Sequence, residues 1–234
     1  MGEFGFKGQK MISEFHDYLK DKNVIIVGPA AYLLGKNKGE FIDNFDVVVR
    51  ISEPMHKIVY PEDYGTKMNI LYLPPSLSRI FVVGDRATVN SWSKPKTFSK
   101  TEKGQIYKRW AEMNLEWVVA RINFKSVDKE DNFPIPFKWV EMEKEFINNL
   151  NEQAKDRIKA TGTLAIIHLL ESDLKTLSAI GFDFYQTGYF HARNDWKIGR
   201  PKMNKKHLKF LKSIVEQDKR LVIDETLRGI LYEN

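Results

Sequence analysis

The chain has 234 residues, enough for one substantial core, and the expectation is a single domain over residues 1–234. With 42% hydrophobic and 29% charged residues it falls in the globular range, which excludes a disordered or fibrous chain. The absence of cysteine removes disulfides, zinc–thiolate sites and thiol nucleophiles together, and an excess of 37 Lys and Arg over 31 Asp and Glu, a formal charge of +6, favours an anionic partner.

Taken in chain order, Ile12, Phe15 and Leu19 stand at helical spacing among charged neighbours, so an amphipathic helix leads to Asn23. The run Val24–Val27 reads as a strand buried on both faces, closed by Gly28-Pro29, and Val47–Ile51 reads the same way. Met68–Leu73 before Pro-Pro and Ile80–Val83 before Gly84 are the next strand candidates, and the polar stretch Asn90–Lys103 reads as a surface loop. Helical periodicity returns over Ile106–Met113 and Glu141–Leu150, and Leu164–Leu170 is apolar enough for a buried helix. A short strand at Leu177–Ile180, a helix at Leu208–Val215 and a last strand at Leu221–Ile223 complete the pattern. Alternation of this kind predicts an α/β fold with a mostly parallel central sheet, flanked by helices, with ligands at the carboxyl ends of the strands. No early apolar core follows the first residues, so no stable membrane insertion is expected, and the lack of cysteine suits a cytoplasmic setting.

Two segments carry the chemistry. In the first, Val24 to Arg50, the break at Gly28 lets backbone approach a ligand where a Cβ would stand in the way, although neither a dinucleotide fingerprint nor a P-loop is present. Asp43 and Asp46 read as carboxylates that hold turns and loop amides. The second segment opens at Ala160-Thr161-Gly162-Thr163. Thr161 reads either as an ordinary N-cap or as part of an anion site made by the amides of a helix start. His168 falls inside the apolar helix and reads as a core histidine.

The order and spacing of Val27-Gly28, Leu33-x-Gly35, Gly39-Glu40-x-Ile42-Asp43 and Phe45-Asp46-x-Val48-x-Arg50 resemble the large motif of the sialyltransferases, the family 29 glycosyltransferases. Thr161-Gly162-Thr163, running on to Gly181-Phe182-Asp183, is similar to their small motif, and His191 with its aromatic neighbours to the third. The resemblance implies a Rossmann-like, GT-A-like variant that takes a nucleotide-sugar donor, CMP-sialic acid or a related acidic sugar, and a glycan acceptor. Gly28, Pro29, Ala30, Arg50, Ser52, Thr161, Gly162, Thr163, Gly181, Phe182 and Asp183 are then the donor-binding candidates. Pro29 stands where many members have Asn, Ser52 stands where Asn is usual, and Lys67 and Asn69 replace an Arg and an Asp near the third strand.

Inverting transfer needs a base for the acceptor hydroxyl. The resemblance assigns that task to a histidine of the last motif, for which His207 is the candidate and His191 the alternative. Five residues after His207 stands Lys212 instead of the family's Glu. No Asp-x-Asp occurs, so no cofactor or metal is expected, and phosphate charge would fall to the Thr161 helix start with Arg193 or Lys197. A nucleotide- or glycan-binding protein with lost turnover is the second reading. A basic nucleic-acid module is the third, and nucleic acid is not expected because no recognised motif accompanies the charge.

Overall fold

The structure is a computed structural model and describes residues 12–51, 60–75, 100–121, 137–158, 160–184, 186–188 and 205–233. Among them seven strands form one sheet: β1 (Asn23–Val27), β2 (Val47–Ile51), β3 (Ile70–Leu73), β4 (Trp117–Ala120), β5 (Lys138–Glu141), β6 (Thr176–Ile180) and β7 (Leu221–Ile223). Every pairing is parallel, in the order β5-β4-β3-β2-β1-β6-β7. From β1 the chain builds outward to β5 on one side, then returns to lay β6 and β7 on the other. The order therefore reverses between β1 and β6, where open α/β sheets hold their ligands.

Among the described residues the helices include α1 (residues 12–19), α2 (Gly39–Asp43), α3 (Pro61–Tyr64), α4 (Lys100–Glu112), α5 (Lys144–Ala154), α6 (Thr161–Leu170), α7 (Lys205–Gln217) and α8 (Glu225–Tyr232). Alternate strand residues divide between two apolar layers, as a doubly covered parallel sheet requires. Val24, Ile26, Val49, Ile51, Tyr72 and Val119 pack under α1, α5, α6, α7 and α8. On the opposite face Ile25, Val27 and Val48 meet α2 and α3, while Leu71 and Val118 meet α4.

Several boundaries differ from the sequence reading. Residues 100–103, expected in a loop, belong to α4: the buried stripe Ile106, Tyr107 and Trp110 nucleates a helix that extends back through a polar turn with no apolar period of its own. Glu141, expected to open a helix, is the last residue of β5, an edge strand in which Val140 is the buried residue. The third strand starts at Ile70, because Asn69 turns its side chain to the Val48 amide (2.9 Å). The strand expected at Ile80–Val83 lies outside the described residues. Strand β4 and helix α8 went unread, although Trp117-Val-Val-Ala120 is a buried apolar run and Asp224 caps α8 at the Leu227 amide (2.8 Å). Among the described residues no helix is long and apolar enough to cross a membrane.

Candidate active site

At the switch point the turns after β1 and β6 are pressed together. A Cβ on Gly28 would lie 2.2 Å from the Gly181 carbonyl oxygen, and one on Gly181 would lie 2.4 Å from that of Gly28. Gly181 also has φ +77°, so it needs glycine twice over. The Gly28 amide donates to Ile180 O (2.8 Å), Ala30 to Gly181 O (3.0 Å) and Ala31 to Gly188 O (2.9 Å). The physical reason for Gly28 therefore changes: the space its missing Cβ leaves is filled by the chain itself, not kept for a ligand.

Phe182 joins this knot to α6. Its Cδ1 would meet a Cβ on Gly28 at 3.0 Å and its Cε1 one on Gly162 at 2.5 Å, with Ile51 Cδ1 at 3.3 Å from the latter. The structure thus brings Gly28, Gly162, Gly181 and Phe182 into one cluster at the carboxyl ends of β1, β2 and β6. Gly28, Pro29, Ala30, Gly181, Phe182 and Asp183 are all buried, whereas Ala160, Thr161 and Gly162 keep partial exposure. The start of α6 is the part of the cluster open to a solute.

Thr161 is not the cap of that helix. Ala160 occupies the N-cap position without a side-chain bond, and Thr161 is the first helical residue. The Thr163 hydroxyl is buried with no hydrogen-bond partner. The first amides of α6 thus lack a side-chain cap, and helix geometry leaves them as donors at the positive end of the helix.

Asp183 is fixed by the turn that follows it: the amide of Thr187 donates to its carboxylate (2.6 Å), and so does the Thr187 hydroxyl. The Tyr64 hydroxyl donates to Ala30 O (2.6 Å), and burial, with Asp63 and Asp183 nearby, raises its pKa. Tyr32 accepts from the Gly181 amide (2.6 Å) and donates to the Asp224 carboxylate. Burial raises the pKa of Tyr32 and of Asp224.

Arg50 lies apart from the α6 start. It alternates with Val49 and Ile51, so its side chain enters the other face of the sheet. There it is wholly buried, and its Nε and Nη2 donate to Lys67 O at 3.1 and 2.9 Å. Nη1 has no partner, and burial lowers the guanidinium pKa to about 10, partly opposed by Asp43. Asp43 and Asp46 hold turns as expected. Asp43 accepts from the amides of Thr66 (2.7 Å) and Lys67 (2.9 Å), and Asp46 from the amide of Asn23 (2.8 Å). Lys67 Nζ donates to the carbonyls of Phe45 and Asp46, so it ties the loop before β2.

His168 is a core histidine: its Nδ1 is 2.8 Å from the Tyr72 hydroxyl, and burial pulls its pKa down to about 3. His207, near the start of α7, is buried with Nε2 3.9 Å from Asp156 Oδ2, too long for a hydrogen bond. Asp156 belongs to the segment that leads from α5 into α6, so His207 stands on the carboxyl-end side of the sheet. His191, Ser52, Arg193 and Lys197 lie outside the described residues. The part played by Tyr32 and Asp224 was missed. An Asp before an apolar-periodic segment signals the α8 cap, but no local pattern signals its bond to Tyr32.

Comparison with known proteins follows the same lines. The model of the family described as glycosyltransferase family 29 (sialyltransferase) matches residues 16–171. No curated protein matches the chain. Among solved structures, the apo form of an alpha-2,3-sialyltransferase from Campylobacter jejuni is 19% identical with a TM-score of 0.52, covering 91% of this chain and 79% of that one. A mammalian sialyltransferase is 16% identical with a TM-score of 0.48, covering 93% and 78%. At such identities the likeness to the Campylobacter enzyme extends to the fold.

Proposed function

The chain belongs to glycosyltransferase family 29, and from that premise we propose that it moves sialic acid or a related acidic sugar from a CMP-sugar donor to a glycan hydroxyl, with inversion and without a metal. The observation that carries this reading is the α6 start. Uncapped amides of a ten-residue helix open beside Phe182, at the point where the strand order reverses. In the proposed reaction the acceptor oxygen attacks the anomeric carbon as the bond to the CMP phosphate breaks. The negative charge gathering on the leaving phosphate is met by those amides. The proton of the acceptor hydroxyl passes to His207, or to His191, acting as base. Asp156 is close enough to stabilise a protonated His207 once the imidazole has taken that proton. The absence of an Asp-x-Asp pair supports a route in which the helix amides, not a bound cation, carry the phosphate charge.

The burial of His207 favours a second reading, a nucleotide- or glycan-binding protein of the same fold that has lost turnover. One experiment addresses both. CMP at about a hundred times its dissociation constant stabilises the folded state by about 2.7 kcal/mol, a rise in Tm of about 5–10 °C for a chain of this size, whereas UMP and GMP leave Tm unchanged. Acceptor-dependent release of CMP from CMP-sialic acid, falling by about a hundredfold or more in His207→Ala, identifies an enzyme with that base. CMP binding without turnover leaves the binder. No response to CMP removes the donor assignment.

A further inference from the structure

We propose that Tyr32 is a positioning residue for the donor site: its hydroxyl, gripped by Asp224, holds the Gly181 amide and so sets the Phe182 ring against which the start of α6 rests. Tyr32 belongs to the 3-10 turn Ala31–Leu33 that follows β1, and Asp224 joins β7 to α8. The phenol oxygen bridges the two, accepting from Gly181 N at 2.6 Å while donating to the carboxylate. The other oxygen of that carboxylate accepts from the Leu227 amide (2.8 Å), which fixes Asp224 to the first turn of α8. The chain of contacts then runs from α8 through Asp224, Tyr32 and Gly181 to Phe182 and Gly162, each link resting on a hydrogen bond or a close packing distance. It also crosses a boundary. Tyr32 lies inside the segment matched by the family and Asp224 lies beyond it, so the phenol adds a side-chain link from the crevice to α8 beside the β6–β7 ladder.

Such a bond acts through geometry. Gly181 is held in a left-handed conformation against Gly28, and the two carbonyls leave no slack in that packing. Freed from the phenol, the Gly181 amide loses its 2.6 Å acceptor and keeps only the Asp224 carboxylate nearby, and the Phe182 ring is no longer fixed under Gly162. The amides of α6 would then meet the phosphate in a spread of positions, weakening donor binding before any effect on proton transfer.

The test is Tyr32→Phe, which removes one oxygen and keeps the ring. Amide hydrogen exchange is measured on the protein alone, where it needs no ligand. The expected result is exchange about tenfold faster at Gly181 and at Leu164, whose amide donates to Ala160 O (3.2 Å) in the first turn of α6, with strands β2 to β4 unchanged. The second part rests on the donor reading above: Kd for CMP and KM for the CMP-sugar rise together by about tenfold while kcat stays within about twofold. A purely structural role would lower Tm and leave the KM of the folded enzyme untouched. Unchanged exchange at Gly181 overturns the proposal, and so does changed exchange with unchanged CMP affinity. If the wild-type protein ignores CMP, the donor reading fails and the positioning role in binding it falls as well, whereas a normal wild-type response with an indifferent Tyr32→Phe condemns the positioning role alone. Should Tyr32→Phe not fold cooperatively, Asp224→Asn, which retains an acceptor for the Leu227 amide, takes its place in both measurements, with the same results supporting or overturning the proposal.

Discussion

Among the turns that depend on close backbone approach, those at Gly28 and Gly65 are built differently. After β1, Gly28 lies against Gly181 backbone to backbone, with carbonyl oxygens where side chains would start. After α3, Gly65 (φ +70°) approaches the Asp43 carboxylate, which in turn gathers the amides of Thr66 and Lys67. One contact is rigid, between two main chains. In the other the nearest atom belongs to the Asp43 side chain, at 2.4 Å from a Cβ on Gly65, with the Gly39 carbonyl oxygen behind it at 2.9 Å. Both start in the single run Val24–Arg50, yet the first half of that run walls the crevice at the switch point and the second half braces β2 and β3 from the opposite face.

The largest expected effect is on the rigid contact. Gly28→Ala places a methyl 2.2 Å from the Gly181 oxygen, and no flexible side chain is there to yield. A loss of about 4 kcal/mol or more is expected, or a Tm lower by about 8–16 °C, read by thermal unfolding followed by circular dichroism. A variant that melts within a few degrees of wild type would mean that the two turns can part, and the contrast with the Asp43 turn would disappear.

Which parts of this were legible in the sequence follows from the range of the forces involved. Val24–Val27 is an unbroken apolar run, and Val47–Ile51 and Leu177–Ile180 are apolar but for Arg50 and Ser178, because both faces of their strands are covered, so they stand out without knowledge of their neighbours. The edge strand β5 has one fully buried residue and leaves almost no pattern. Asp43 and Asp46 act on nearby turns, and their structural roles were readable. The partner of Gly28 lies some 150 positions away, as does that of Tyr32 at Gly181, and a pairing such as Val24 with Leu177 cannot be read from either segment alone. Hence the glycines that meet at the switch point stand out in the sequence, but the reason for Gly28 does not. The same limit applies to Arg50, whose alternation with Val49 and Ile51 takes it to the face away from α6.

A smaller effect is expected at the Asp43 turn. Asp43→Ala removes the acceptor shared by Thr66 and Lys67, but that turn is partly exposed and water can replace some of the bonds. A cost of about 2 kcal/mol corresponds to a Tm about 4–8 °C lower. Calorimetric CMP affinity per folded molecule should stay within about twofold of wild type, since the turn lies beneath the sheet and away from α6. A large loss of CMP affinity would show that the brace on the far face controls the crevice, and the division of the run into wall and brace would have to be given up.

Asp46 offers the finest test, because it performs the same kind of task as Asp43 at an exposed position. Its carboxylate takes the Asn23 amide at the start of β1, and that bond, ahead of the side-chain bond from Asn23 and the charges of Lys22 and Lys67, holds its pKa below the ordinary value. A carboxyl whose folded pKa is depressed contributes stability above its unfolded value, near 3.9, and loses that contribution as pH falls through the folded value. Asp46→Ala should therefore melt about 1–2 °C below wild type at pH 7. The gap in urea midpoint should hold down to about pH 4.5 and close at lower pH, where both proteins carry no charge at the site. A gap that persists unchanged to pH 3 would assign the effect to lost packing rather than to the ionised carboxylate. The strand that leads into the switch point would then be anchored by its apolar faces alone, with its entrance as indifferent to charge as its exit at Gly28.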